Sequence, residues 1–489
     1  MLSEATRRLI RERLDAEVGR IDKDAPWRVA LTYPSPYATG MSSLGYQRIY
    51  RSLQDLPGVA AERVFLPDGG DRSGATIDGV VSYESRRQLG EFPLVAFSVA
   101  YELELPGLLR LLGSADIPTL RTERSARHPL VMVGGPITFS NPLPLAPFVD
   151  VMVIGDGEGV IEPVVGVIQA ASDRAGALAE LARLEHVFVP AHHGSTVPAA
   201  AQCDSRWLPA HSAIRTPHTE LKDMFLIEAE RGCGRRCAYC VMRRGRGRGM
   251  RLVPRKDIVG RVPDSARRVG LVGAAVSDHP DITAIVRELS APGRQIGLSS
   301  LRPDRLDGEL LEALRGAGYR TLTTALDGAS ARVRESAGRP VDEDRLLRAT
   351  ERARALGFSR LKLYLMLGLP GEIDADVDEC VRLVGELSKL LPVSLGIAPF
   401  CAKRHTPFDG QPYAGVQVVS QRLERLRRGL SGRADVRATS AKWAWVEYVL
   451  AQGAEAEGRA TVEAVMAGGR FSDFKRSFGR LGHDPNASG

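Results

Sequence analysis

Arg231-Gly-Cys-Gly-Arg-Arg-Cys-Ala-Tyr-Cys240 sets three thiols at the spacing C-x3-C-x2-C. Three thiolates this close along a chain wrap one side of a [4Fe–4S] cluster, which ordinarily takes four cysteine ligands. No fourth cysteine stands nearby, so one iron is left open to hold and reduce a small molecule. The competing metal reading is structural zinc. Zinc takes four ligands, usually in two Cys or Cys/His pairs. Cys203, Cys380 and Cys401 are isolated along the chain, and no histidine follows at zinc-finger spacing. Cys233, Cys237 and Cys240 are therefore the expected cluster ligands.

Outward from this loop the chain alternates strands and helices. Met224–Glu230 is an apolar strand running into the first cysteine. Five further strands are expected at 268–276, 295–302, 321–327, 361–371 and 394–400. Helices at 305–317, 342–356 and 374–391 lie between them. Regular strand–helix alternation specifies a parallel sheet. Six such units suit a partial (β/α)6 barrel, with its chemistry at the carboxyl ends of the strands. The cysteine loop sits at that end of the first strand.

The cysteine spacing, with Tyr239 just before the third cysteine, resembles the cluster loop of the radical S-adenosylmethionine (SAM) superfamily. The resemblance implies that the open iron is chelated by the amino and carboxylate groups of SAM. It also implies that an electron from the cluster cleaves SAM to a 5′-deoxyadenosyl radical. Strand-end residues then take implied cofactor roles. Tyr239 lies beside the cluster, and carbonyls near Ala274 and Ala275 meet the methionine amino group where the family usually has G-G-E. Ser299 and Arg302 close the third strand, with the arginine suited to the SAM carboxylate. Asp327 stands where relatives often carry a glutamate, and Gly368 lies in the M-L-G-L-P-G-E run that is similar to the adenine-contacting strand. Cys401, after the sixth strand, is a candidate catalytic thiol. The competing reading of each single residue is a polar group lining the barrel.

Residues 26–170 also alternate. Strands are expected at 27–33, 92–99, 130–136 and 149–158, giving a Rossmann-like, doubly wound sheet. Val-Gly-Gly-Pro at 133–136 and Val-Ile-Gly-Asp-Gly-Glu at 153–158 resemble the closing strands of the domain in cobalamin (B12)-binding radical SAM proteins. Gly134, Gly135, Gly155 and Gly157 would there let a nucleotide tail approach the backbone. The chain departs from that pattern in having no D-x-H-x-x-G, so no histidine ligand to cobalt is evident.

The expected organisation is α/β throughout: an N-terminal helix at 1–25, the cobalamin-type domain at 26–170, and a linker at 171–220. The radical SAM barrel follows at 221–415, and then a small C-terminal helical cap at 416–489. Trp443, Trp445 and Tyr448 lie at helical spacing and read as core. His192, His193 and His211 fall in the linker.

The 489 residues carry a formal net charge of +7. Part of the excess is local, in Arg243, Arg244, Arg246, Arg248, Arg251, Arg255 and Lys256. Glycines between these arginines and the lack of interleaved aromatics favour a solvated loop over a nucleic-acid footprint. No apolar run spans a membrane, and the charged opening segment lacks a secretory h-region. Six cysteines, three in one loop, do not form a disulfide framework. A cluster with an open iron needs a reducing compartment, so a cytoplasmic location is expected.

The resemblance implies a cobalamin-dependent methyltransferase acting on an unactivated carbon of a small-molecule or peptide substrate, with flavodoxin or ferredoxin as reductant. The alternatives are a cobalamin-independent radical rearrangement or oxidation, and an RNA-modifying radical SAM enzyme.

Overall fold

The structure is a computed structural model that describes residues 2–70, 79–242, 249–299, 301–306 and 308–487. The arginines at 243, 244, 246 and 248 lie outside the described residues. Two compact units are formed. One takes Met1–Met224 with Gly453–His483, the other Phe225–Gln452 with Asp484–Gly489.

The first unit is built on a six-stranded sheet in the order β2-β1-β3-β4-β5-β6. The strands are β1 (Trp27–Pro36), β2 (Val59–Leu66), β3 (Leu94–Ser98), β4 (Leu130–Gly134), β5 (Val151–Val153) and β6 (Val187–Phe188). The first five are parallel, and β6 is an antiparallel edge. Val29, Leu31, Leu94, Val95, Val131 and Val133 are almost fully buried. Burial on both faces is why these strands read as unbroken apolar runs. The order 2-1-3-4-5 is that of flavodoxin-like sheets, whose switch point lies between β1 and β3.

β2 has no counterpart among the expected strands, because Glu62 and Arg63 interrupt its apolar pattern. Both are buried and paired. Arg28 and two serines hold Glu62. Arg63 forks onto Glu17 at 2.7 and 2.8 Å and onto Glu84 at 2.6 Å.

The second unit carries a three-stranded sheet, β11-β10-β7, and a four-stranded sheet, β12-β13-β14-β15. The strands are β7 (Met224–Glu228), β10 (Arg268–Val272), β11 (Gln295–Leu298), β12 (Thr321–Ala325), β13 (Arg360–Leu367), β14 (Val393–Pro399) and β15 (Ala434–Ala438). A short antiparallel pair, β8 (Glu230–Arg231) and β9 (Arg251–Leu252), flanks the cysteine loop. All six expected barrel strands are present. β15 is a seventh, inside the segment expected to be purely helical. Its sequence Ala-Asp-Val-Arg-Ala is short and charged, yet it pairs in parallel with β14.

β13 alternates cleanly. Leu361, Leu363, Leu365 and Leu367 are buried, while Lys362, Tyr364 and Met366 turn to the other face.

The C-terminal segment is helical on both sides of β15, at Val416–Gly429, Ala441–Gln452, Glu455–Met466 and Phe471–Gly479. Trp445 is core, as its spacing indicates. The last two helices belong to the first unit. There Asn141 Nδ2 donates to the Gly453 carbonyl at 2.7 Å, and Gly458 lies against the Pro144 carbonyl with no room for a side chain. The segment expected as a single cap is therefore shared between the two units.

Candidate active site

Cys233, Cys237 and Cys240 line one cavity of about 250 Å3 in the second unit. The cavity is walled by three successive strand ends and one mid-strand residue: Ala274 and Ala275 beyond β10, Leu298 at the end of β11 with Ser299 just beyond it, Thr323 to Ala325 and Asp327 on and beyond β12, and Tyr364 within β13. Of the expected site residues, Tyr239, Ala274, Ala275, Ser299, Arg302 and Asp327 line this space. Tyr364 was not anticipated. Its signal is the alternation of β13, which turns every second residue inward. The ring lies over Gly396, where an added Cβ would meet it at 2.8 Å.

The cysteine loop is held by its own arginine. Arg235 donates to both oxygens of Asp278, at 2.9 and 3.0 Å, while its backbone N–H points at Cys233 Sγ at 3.5 Å. Ala238 is tied by its N–H to the Ala337 carbonyl and by its carbonyl to the Phe408 N–H. Burial, then the neighbouring Cys237 and Cys233, push the Cys240 thiol up. Among the described residues no group of three His, Cys, Asp or Glu side chains is placed to hold a single metal ion. The three thiols that share the cavity are the donor set that suits an iron–sulfur cluster, with the Asp327 carboxylate on the same wall already bound to Arg339.

Two charged residues expected to meet SAM already have partners. Arg302 forks onto Asp304, both bonds at 2.9 Å. Asp327, in the left-handed region at φ 64°, accepts from Arg339 Nε at 2.6 Å. The Tyr239 phenol lies near the Asp327 carboxylate. Burial, reinforced by that carboxylate, pushes the phenol up. Asp327 and Arg339 thus form a hydrogen-bonded pair along one wall beside Tyr239, and the pair orients the carboxylate before any ligand arrives.

Two expected site residues stand elsewhere. Gly368 does not face the cavity. Its N–H donates to the buried Glu372 carboxylate at 2.8 Å, its φ is +84°, and Ala414 and Val419 occupy the space beside it. Cys401 is half-buried and donates to the Ala444 carbonyl at 3.1 Å, a packing role on the Ala441–Gln452 helix.

The glycines at the strand ends of the first unit divide. Gly135 (φ 104°) lies against the Val99 carbonyl, Gly155 (φ 94°) against the backbone of Ala200 and Ala201, and Gly157 against Ile49. Packing of the chain itself accounts for these three. Gly134 alone faces open space. Close by on the same sheet edge, Glu104 is buried and accepts the Ser35 hydroxyl at 3.3 Å and the Ala100 N–H at 2.5 Å. Burial pushes its carboxyl up to about 7.

Residues 227–384 match the model of the radical SAM superfamily, and residues 45–190 match that of the N-terminal domain of radical SAM proteins. The chain is a radical SAM enzyme. This radical SAM protein is 25% identical over 395 residues to an uncharacterised protein of Methanocaldococcus jannaschii, covering 79% of this chain and 80% of that one. It is 26% identical to the threonylcarbamoyladenosine tRNA methylthiotransferase MtaB of Chlamydia pneumoniae, over 42% of this chain and 52% of the relative. It is 29% identical to the ribosomal protein uS12 methylthiotransferase RimO of an Anaeromyxobacter strain, over 41% and 43%. The chain therefore spans about half the length of these two methylthiotransferases.

Among solved structures, it resembles the radical SAM methyltransferase TsrM of Kitasatospora setae, solved with cobalamin and a [4Fe–4S] cluster. The TM-score is 0.53 at 15% identity, covering 81% of this chain and 78% of that one. The cobalamin-dependent radical SAM enzyme OxsB, with aqua-cobalamin bound, gives 0.50 at 11% identity, covering 75% and 53%. Both likenesses are of fold. No helix among the described residues is long and apolar enough to cross a membrane.

Proposed function

We propose that this radical SAM protein holds a [4Fe–4S] cluster on Cys233, Cys237 and Cys240, binds SAM in the adjoining cavity, and transfers a methyl group to an unactivated carbon with cobalamin as a second cofactor. The observation that carries the reading is the single cavity into which three thiols, three successive strand ends and Tyr364 of β13 open. When bound, the cluster supplies the electron for reductive cleavage of SAM. The chain supplies position and dryness. Arg235, pinned to Asp278, sets the height of the first cysteine. Ala274, Ala275 and Ser299 present backbone and hydroxyl groups to a bound amino acid moiety. The Asp327–Arg339 pair presents a carboxylate whose orientation is already fixed, suited to a hydroxyl or ammonium donor. Tyr364 gives one apolar wall.

Cobalamin is supported by the flavodoxin-like sheet order, by the open approach at Gly134, and by the likeness of fold to TsrM and OxsB. A flavodoxin or ferredoxin as electron donor and a small-molecule or peptide substrate complete the reading. The test is anaerobic purification followed by iron and sulfide analysis, dithionite reduction with SAM, and incubation with hydroxocobalamin. About four irons per chain, release of 5′-deoxyadenosine and stoichiometric cobalamin uptake are expected. Absence of iron would overturn the cluster. Iron and SAM cleavage without cobalamin uptake would leave the cobalamin-independent alternative.

A further inference from the structure

Glu230 lies three residues before Cys233, on the short strand β8, and is fully buried. Its Oε1 accepts the N–H of Ala275 at 2.6 Å. Its Oε2 is also buried and has no partner among the described residues. A carboxyl group buried with an unmatched oxygen costs stability, so a residue kept there needs a local reason. Residue 273 shows what the carboxylate is doing. The space where a side chain on Gly273 would begin is filled by Glu230 Oε1, Cδ and Cγ. The other side of the same turn is held by Ser299, whose hydroxyl accepts the Gly273 N–H at 3.2 Å and donates to its carbonyl at 2.9 Å. Ala274, Ala275 and Ser299 line the cavity with the cysteines. The turn at 273–275 is thus gripped from two sides, and one grip comes from the stem of the cysteine loop.

The geometry points to Glu230 as a positioning residue that couples the cysteine loop to the 273–275 turn and so sets the turn's register against the amino acid part of SAM. It touches neither iron nor SAM; it fixes the distance between the walls that do. Ordinary burial of a carboxylate would need no particular neighbour at 273. This arrangement requires glycine there, and it ties the two walls by one short hydrogen bond.

The inference rests on the reading that the cavity takes SAM, so SAM binding by the wild-type, cluster-loaded protein is the first control. If the wild type fails to bind SAM, that reading falls. If the wild type binds, the variants decide the inference. Glu230→Ala should weaken SAM affinity about tenfold, the equivalent of one lost hydrogen bond near 1.4 kcal/mol, with iron content unchanged. The cluster's EPR signal should shift less on adding SAM. Glu230→Gln keeps an acceptor for the Ala275 N–H and should recover most of the affinity. Gly273→Ala drives a methyl into the carboxylate and should weaken SAM binding similarly, without altering residue 230. Combining Gly273→Ala with Glu230→Ala gives that methyl the vacated space, so the double variant should bind better than the two single losses multiplied. Equilibrium dialysis with labelled SAM reads all four. Wild-type affinity in Glu230→Ala or Gly273→Ala, or strictly multiplicative losses in the double variant, would overturn the inference. Should Glu230→Ala fail to load iron, Gly273→Ala alone still decides it.

Discussion

Arg235→Ala should loosen the cluster without unfolding the barrel. Arg235 sits between Cys233 and Cys237 and makes a two-pronged pair with Asp278, at 2.9 and 3.0 Å. A fully buried charge-assisted pair of this kind would be worth several kcal/mol. Here the arginine side chain is 35% exposed, and the aspartate is 10% exposed. Asp278 also keeps Arg305 at 3.1 Å and Arg302 at 3.6 Å after the change. Solvent and those remaining partners bring the loss down to about 1–2 kcal/mol. Spent on opening the cysteine loop, that is roughly a five- to thirtyfold rise in the opened population. Iron release from anaerobically loaded protein into a coloured ferrous chelator should accelerate by the same factor. Arg235→Lys offers one point charge in place of a planar fork, so its rate should fall between the two. Arg305→Ala removes charge from the same aspartate but lies outside the loop, and should stay within about twofold of wild type. Iron release from Arg235→Ala at the wild-type rate would refute the reasoning. So would an equal effect in Arg305→Ala, since the contact would then act through general charge rather than through the loop.

Replacing Cys233, Cys237 and Cys240 together by alanine should abolish bound iron, about four per chain, and the brown colour, read by iron assay and visible absorbance. Gly134→Leu should reduce hydroxocobalamin uptake with iron content unchanged; substitution at Gly135 would instead collide with Val99 and report on folding. Arg63→Met strands Glu17 and Glu84 in the first unit at a cost of about 3–5 kcal/mol. On the order of 10 °C should be lost from that unit's melting transition. Burial already holds the Glu84 carboxyl above its usual range, so the loss should be largest at pH 8 and relieved toward pH 5. Glu104, raised from 4.5 to about 7, holds its proton longer in the native state than in the unfolded chain. Its contribution is complete below about pH 4.5, declines as pH rises toward 7 and is gone above it; Glu104→Gln should flatten the first unit's stability between those values by roughly 3 kcal/mol, measured by denaturant titration.

The cysteine spacing and the strand–helix alternation made the barrel legible, because parallel strands buried on both faces leave apolar runs that little else produces. β2 was hidden by Glu62 and Arg63, whose burial depends on partners as distant as Glu17, Arg28 and Glu84. A single-chain pattern cannot register such pairing. β15 was hidden by its charges and its length. At the site, residues read from strand position alone, Ala274, Ala275 and Ser299, line the cavity with the cysteines. Residues assigned by side-chain chemistry fared differently. Arg302 and Asp327 reach the cavity but are already claimed, by Asp304 two residues on and by Arg339 twelve residues on. Gly368 took its expected role from a motif, whereas its backbone conformation and the Glu372 contact give it a turn to make. Glu230 looked like one more alternating polar residue of a strand, and only its contact with Gly273 separates it from that background.

The barrel wall changes its construction between β11 and β12. Every other neighbouring pair of strands around the wall is joined by a ladder of backbone bonds, but these two belong to different sheets. There the Tyr319 hydroxyl accepts the Leu298 N–H, and the Thr324 hydroxyl donates to the Leu301 carbonyl. Backbone ladders fix strand spacing at about 4.8 Å whatever the sequence. A seam stitched by side chains has no such fixed gauge. Among the described residues its side-chain bridges are Tyr319 and Thr324, so substitution at either is expected to change the width of the chamber beside the cysteines. Selection for a larger or smaller guest has, at this one place, a dial that single mutations turn.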